Sequence, residues 1–161
     1  MNQTIELKYF SKNGQIEFLG SDFYKTNIEN LKIRVNDSII GNNYLKLDKG
    51  LSINAKIELS KDIIDFSHMF EKCPLLEIKN WNLDTSNIYD MCSMFNHCDL
   101  LNTIEPIKYW DTSKVEFMCH LFQGCKSLYT LSLYLPLDQK FPFFLMKGKI
   151  TLQKIKKLKV F

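Results

Sequence analysis

The sequence lacks the short signatures that usually mark catalytic sites. There is no glycine-rich phosphate loop, no G-x-S-x-G elbow and no paired-carboxylate pattern. Nor is there a close C-x2–4-C pair of the kind that holds zinc on a tight turn. Glycine and proline are sparse, six and four in 161 residues, which argues against a disordered or linker-like chain. No stretch approaches the roughly 18 apolar residues of a membrane-spanning helix. The opening MNQTIELKYF carries a lone Lys and no apolar core, so no secretory leader is expected and a cytoplasmic location is the default expectation. Acid is missing altogether from residues 139–161, which carry seven Lys.

That last absence exposes an asymmetry beneath the net charge of +3. Residues 1–59 carry eight basic and seven acidic groups, and residues 60–138 carry six and eleven. The middle of the chain is therefore acidic and its end strongly basic. Three segments are expected: a β-rich N-terminal cap over 1–59, a repeat region over 60–138, and a basic C-terminal cap or tail over 139–161.

The repeat is the main positive signal. IIDFSHMFEKCPLL, IYDMCSMFNHCDLL and VEFMCHLFQGCKSL align without a gap, with Phe70/Phe95/Phe122 and Cys73/Cys98/Cys125 among seven matched columns. The period of 25 to 27 residues predicts stacked units that bury their apolar faces only against one another, a solenoid. Ile63, Phe66, Ser67 and Phe70 fall at i, i+3, i+4 and i+7, which predicts one face of a short helix in each unit. Ser60, Thr85 and Thr112 stand three residues ahead as candidate N-caps. Leu128-x-x-Leu131-x-Leu133 then reads as the strand of a leucine-rich repeat. The predicted fold class is α+β: a short leucine-rich-repeat solenoid of about three helix-plus-strand coils, preceded by a small β-rich cap.

The strings WNLDTSNIYDMCSMFNHC and YWDTSKVEFMCHLFQGC resemble the BspA-type leucine-rich-repeat proteins, in the variant with W-D-T-S-N-V-x-x-M-x-x-M-F-x-x-C repeats. The likeness spans about residues 60–134. It departs in the first unit, which lacks Asp-Thr-Ser, at Trp81, and at Leu121, which stands where the pattern has Met. The resemblance implies a non-enzymatic interaction array, often on the cell surface, and brings no catalytic residue.

In the N-terminal segment, Ile5-x-Leu7-x-Tyr9 and Ile16-x-Phe18 alternate about Asn13-Gly14, which predicts a tight hairpin. Leu31-x-Ile33-x-Val35 is a third strand turning at Asn36-Asp37-Ser38, and Ile53-x-Ala55-x-Ile57-x-Leu59 is the last. SDFYKTNIEN between them reads as a short helix or an irregular loop. At the other end, Ile150, Leu152, Ile155 and Leu158 interleave with lysines in neither period. The plain reading is a degenerate coil with a solvated tail; contact with an anionic membrane surface or with nucleic acid is the sharper one, and no specific nucleic acid is expected.

Five cysteines and three histidines raise metal and nucleophile readings. Cys92-x5-Cys98 and Cys119-x5-Cys125 are spaced too widely for a zinc pair, and column alignment explains them as structural. Column-equivalent cysteines could approach disulfide range, but the odd count favours five free thiols. His97 and His120 share no column, so no Cys–His geometry repeats. The expectation is no metal, no cofactor, no catalytic residue and no small-molecule substrate. Binding is expected on the concave strand face, at Glu77, Lys79, Asn102, Thr103, Glu105, Tyr129, Thr130, Ser132 and Tyr134. The expected function is a non-catalytic protein–protein interaction module, with a structural or adhesive surface element as the alternative.

Overall fold

A computed structural model gives the structure of the chain, described for residues 3–104 and 110–128. The regular elements are β1 (Gln3–Phe10), β2 (Gln15–Glu17), α1 (Ser21–Asn27), β3 (Leu31–Val35), β4 (Ser38–Ile40), β5 (Tyr44–Lys46), β6 (Ser52–Leu59) and β7 (Leu75–Asn82), with a 3-10 turn at Ile28–Asn30. Alternation with a period of two carries Ile5, Leu7 and Tyr9 of β1, and Ala55, Ile57 and Leu59 of β6, into the core. The register sets Ile5 opposite Ile57 and Leu7 opposite Ala55, so one buried face is built without a gap. β3 adds Ile33 and Val35 on the far side of β6. The antiparallel sheet runs β4-β3-β6-β1-β7. Asn36 and Asp37 join β3 to β4 with φ of 49° and 64°, the paired positive angles of a type I′ hairpin.

The hairpin expected at Asn13-Gly14 does not pair its own flanks. β1 is taken on both edges by the eight-residue strands β6 and β7, while β2 pairs with β5 in a separate two-stranded sheet. Three fully buried side chains on β1 outweigh the single one, Ile16, that the short β2 can offer. SDFYKTNIEN begins as α1. Gly20, just before it, donates its N–H to the Met69 carbonyl at 2.9 Å, and a Cβ at this position would overlap the His68 carbonyl oxygen. That close approach fixes α1 against the first repeat.

The repeats stack, but not as helix-plus-strand coils. Each described unit is a pair of consecutive four-residue turns. In the first, Met69 N–H bonds to Phe66 O and Cys73 N–H to Phe70 O; in the second, Met94 bonds to Met91 and Cys98 to Phe95. The third residue of each turn takes positive φ: His68 and Lys72, Ser93 and His97, His120 and Gly124, at 57° to 75°. This is type II turn geometry, and only one of the six positions is glycine. A right-handed helix cannot hold such residues.

Alternate N–H groups of the first two turn pairs reach the next tier. Phe66, His68, Phe70 and Lys72 donate to Asp90, Cys92, Met94 and Asn96 at 2.8 to 3.0 Å. Met91, Ser93, Phe95 and His97 donate in turn to Phe117, Cys119, Leu121 and Gln123 at 2.7 to 3.0 Å. The N–H groups between them close the turns or, at Ser67 and Cys92, bond an Asp side chain, so this backbone is satisfied without helix or continuous strand.

The α+β leucine-rich-repeat solenoid is therefore corrected. The described residues form two antiparallel sheets with one short helix, and only the first unit continues into a strand, β7, which joins the N-terminal sheet. The reason is geometric. Two consecutive four-residue turns return the chain to the same side after three and then four residues, the spacing that a helix face also gives. Ser60, Thr85 and Thr112 do not cap helices: their carbonyls accept the N–H groups of Ile63, Ile88 and Val115.

Four inward columns fill the stack: Phe66/Met91/Met118, Met69/Met94/Leu121, Phe70/Phe95/Phe122 and Cys73/Cys98/Cys125, all buried. The middle Phe ring stacks on both neighbours at 5.4 Å, with interplanar angles of 15° and 10°. Trp81 and Trp110 close one side, 4.8 Å apart, with Trp110 against Phe95.

Candidate functional site

The ladder that buries one set of side chains also lines up another outside. Ile64, Tyr89 and Phe117 are 49%, 38% and 52% exposed, one to each tier. Tyr89 N–H donates to Ile64 O at 3.0 Å, and Tyr89 O accepts from Glu116 and Phe117 at 2.8 and 3.2 Å. Main-chain bonds therefore hold Ile64 and Tyr89 in register, with Phe117 one position further on, in the column of Asp65 and Asp90.

Carboxylates run along the same edge. Asp65 pairs with Asp90, and Asp90 with Phe117, in single parallel bridges. Each Asp also closes a local turn: Asp65 Oδ1 accepts from Ser67 N–H and Asp90 Oδ1 from Cys92 N–H, both at 2.7 Å. Partial burial raises the Asp90 pKa, and the Asp65 charge adds to it. The same Asp65 charge, with a hydrogen bond from Tyr89 Oη at 3.4 Å, raises the Tyr89 phenol. In the third tier Phe117 stands where the other two have Asp, so the edge passes from acidic to aromatic.

The nine residues expected on a concave strand face are only partly brought together. Glu77 and Lys79 lie on β7, and Thr103 bridges Glu77 in parallel. Asn102 N–H donates to Leu76 O at 3.2 Å. These four share one flank of the edge strand. Glu105, Tyr129, Thr130, Ser132 and Tyr134 lie outside the described residues, as does the basic segment 139–161. The Ile64, Tyr89 and Phe117 edge was missed, although a signal exists. An apolar residue follows the inward Ile63/Ile88/Val115 column by one or two positions in every unit, and both cannot face the core.

The cysteines divide into two sets. Cys92 and Cys119 form a disulfide with Cα atoms 4.6 Å apart, which corrects the expectation of five free thiols. Adjacent strands of any sheet run roughly 4.7 to 4.9 Å apart, so equivalent columns of successive tiers fall in bonding range. The count of cysteines carries no such information. Ser67 leaves the first tier without a partner in that column. Cys73, Cys98 and Cys125 are free and buried. The Cys98 thiol donates to Phe70 O at 2.9 Å and the Cys125 thiol to Phe95 O at 3.1 Å, bridging tiers from inside. Burial pushes the Cys73 and Cys98 pKa values far up and that of Cys125 to about 12. A cleft of about 480 Å³ lies between the Asn13 turn and the tiers, with Lys12, Lys72, Glu17 and Asp99 on its wall. Asp99 is held there by Lys126 at 2.7 Å.

Sheet and stack together define a β-rich repeat protein in which paired turns, cross-bonded in parallel, extend from an antiparallel sheet. A family model described as "Mycoplasma protein of unknown function, DUF285" matches residues 52–133, just over half the chain, and the chain belongs to this family. That assignment corrects the BspA-type leucine-rich-repeat resemblance, which rested on the same strings. No curated protein and no solved structure matches the chain.

Proposed function

We propose that the chain is a non-catalytic protein-binding module whose partner docks along the edge of Ile64, Tyr89 and Phe117. The strip itself carries this reading. Single exposed apolar residues are ordinary on a protein surface, whereas here each of three successive tiers exposes one along the same edge, Ile64 and Tyr89 in register and Phe117 one position on. Aromatic anchors such as Tyr89 dominate interface energetics. Asp65, Asp90 and Glu116 beside them select for a cationic partner, an extended protein segment with Lys or Arg set between apolar residues. The state of the free thiols supports a non-catalytic reading: protonated and donating to main-chain carbonyls, they supply no thiolate nucleophile.

A synthetic peptide of alternating Lys and Leu is the probe. The paired substitution Tyr89→Ser and Phe117→Ser should weaken its binding by about tenfold or more, the loss expected when two anchors are truncated. Asp65→Asn with Asp90→Asn should flatten the salt dependence. Binding that ignores the loss of both aromatic rings contradicts the proposal.

The alternative, a structural or adhesive element without a dedicated partner, draws support from the inter-tier disulfide and the continuous Phe stack, which stiffen the array. It expects no binding of the probe by the wild-type chain at all.

A further inference from the structure

Among the described residues the disulfide is the one covalent link between tiers, and it sits on the outside of them. Cys119 is exposed and Cys92 partly so, whereas the three free cysteines are buried in the Phe-lined interior. Tiers one and two are joined by the four ladder bonds and by Tyr89 N–H to Ile64 O, without any covalent link, because Ser67 occupies the column. Tiers two and three have the four corresponding ladder bonds, the bonds from Glu116 and Phe117 N–H to Tyr89 O, and the link in addition. The crosslink is therefore accessible, and the ladder does not need it in order to form.

We propose that Cys92–Cys119 is a reversible thiol–disulfide site, exchanging with low-molecular-weight thiols, that sets how firmly the third tier is held to the second. In the exchange, a thiolate of the small molecule attacks Sγ of the exposed Cys119. The protein S–S bond breaks, a mixed disulfide forms, and Cys92 leaves as a thiolate that takes up a proton. A second small-molecule thiolate attacks its own kind's sulfur in the mixed disulfide and releases the Cys119 thiolate, which is protonated in turn. Two electrons pass to the protein, and the small thiol leaves as its own disulfide. Reoxidation by that small disulfide runs the same steps backwards. Cys73, Cys98 and Cys125 take no part, since all three are buried and the Cys98 and Cys125 thiols donate to main-chain carbonyls. In the reduced form the third tier keeps its hydrogen bonds and packing but opens more often, because the covalent link no longer opposes its release.

The test uses the full chain, purified without reductant and equilibrated in mixtures of reduced and oxidised glutathione. Samples are alkylated under native conditions and mapped by mass spectrometry. Labelling of Cys92 and Cys119 alone, rising as the buffer becomes reducing and reversing on reoxidation, is the expected result. Hydrogen exchange of Ser93, Phe95 and His97, whose amides donate into the third tier, should quicken about tenfold on reduction. Exchange of Phe70 and Lys72, which donate from tier one to tier two, should hold steady. The paired Cys92→Ser and Cys119→Ser substitution, which copies tier one, should exchange at the reduced rate in every buffer; Cys125→Ala should leave the redox response intact. The proposal is overturned if all five cysteines label together, if the pair resists reduction until the protein unfolds, if it is unlinked in oxidised glutathione, or if tier-three exchange ignores its state.

Discussion

Removing the middle ring of the Phe column should be the most damaging single truncation in the stack. Phe95 is fully buried, lies 5.4 Å from both Phe70 and Phe122, and is 6.3 Å from Trp110 at an interplanar angle of 16°. Deleting a buried Phe side chain generally costs about 3–5 kcal/mol in lost transfer energy and cavity. Aromatic pairs add roughly 0.5–1.5 kcal/mol each beyond area. With two stacked partners and a Trp, Phe95→Ala belongs near the top of that range, about 5 kcal/mol. Phe122→Ala has one stacked ring partner among the described residues and belongs nearer about 3 kcal/mol. Urea titration at fixed redox state measures both, with the midpoint falling while the slope holds. If Phe95→Ala costs less than about 2 kcal/mol, or less than Phe122→Ala, the column is not the spine of the stack.

Gly20→Ala should destabilise by about 1–3 kcal/mol, because the new methyl meets the His68 carbonyl rather than a yielding side chain; a neutral melting temperature would refute the close joint between α1 and the first tier. Asp84 and Asp111 are held low by hydrogen bonds from Ser86 and Ser113; for Glu71, burial acts upward but His68 and Lys72 outweigh it. Stability from these three is fully present above the unfolded carboxylate pKa of about 4 and is lost as pH falls through their lower native values. Asp90 has the opposite sign, raised by burial and then by Asp65, so protonation favours the fold. Asp90→Asn keeps the acceptor for Cys92 N–H and should therefore raise the melting temperature at pH 7 but hardly at pH of about 3; equal gains at both would refute the assignment. Replacing both Cys92 and Cys119 by Ser should lower stability by about 3.5 kcal/mol under oxidising conditions, the chain-entropy value for a 27-residue separation, and by far less under reducing ones. Equal losses in both buffers would refute the link.

What the sequence made legible was which side chains face inward. Phe70, Phe95 and Phe122, with the Cys and Met columns, could be placed from repetition alone, because burial imposes a periodic demand for apolar residues. The strands at Ile5–Tyr9, Leu31–Val35 and Ile53–Leu59 were readable for the same reason, with a period of two. What could not be read was the path of the backbone between those positions. Successive turns and a helix give the same three-then-four spacing, and the deciding feature is the hand of φ at His68, Ser93 and His120; histidine is enriched at positive φ, but serine carries no such signature. Glycine marks only Gly124. Pairing partners were equally hidden: Asn13-Gly14 signals a turn, not that β1 will prefer β6 and β7 to its neighbour in the chain. The candidate edge escaped because Ile64, Tyr89 and Phe117 look like further core residues until the inward columns are known to be full.

The most direct measurement is the φ angle at the third turn position of each tier, from NMR couplings and chemical shifts of the oxidised chain. His68, Ser93 and His120 should each report a positive angle near 57° to 58°, with Lys72 and His97 alike in the second turn of their tiers. Negative angles near about −60° with helical i to i−4 bonding at these residues would contradict the stacked turns, and with them the edge on which the proposed partner docks.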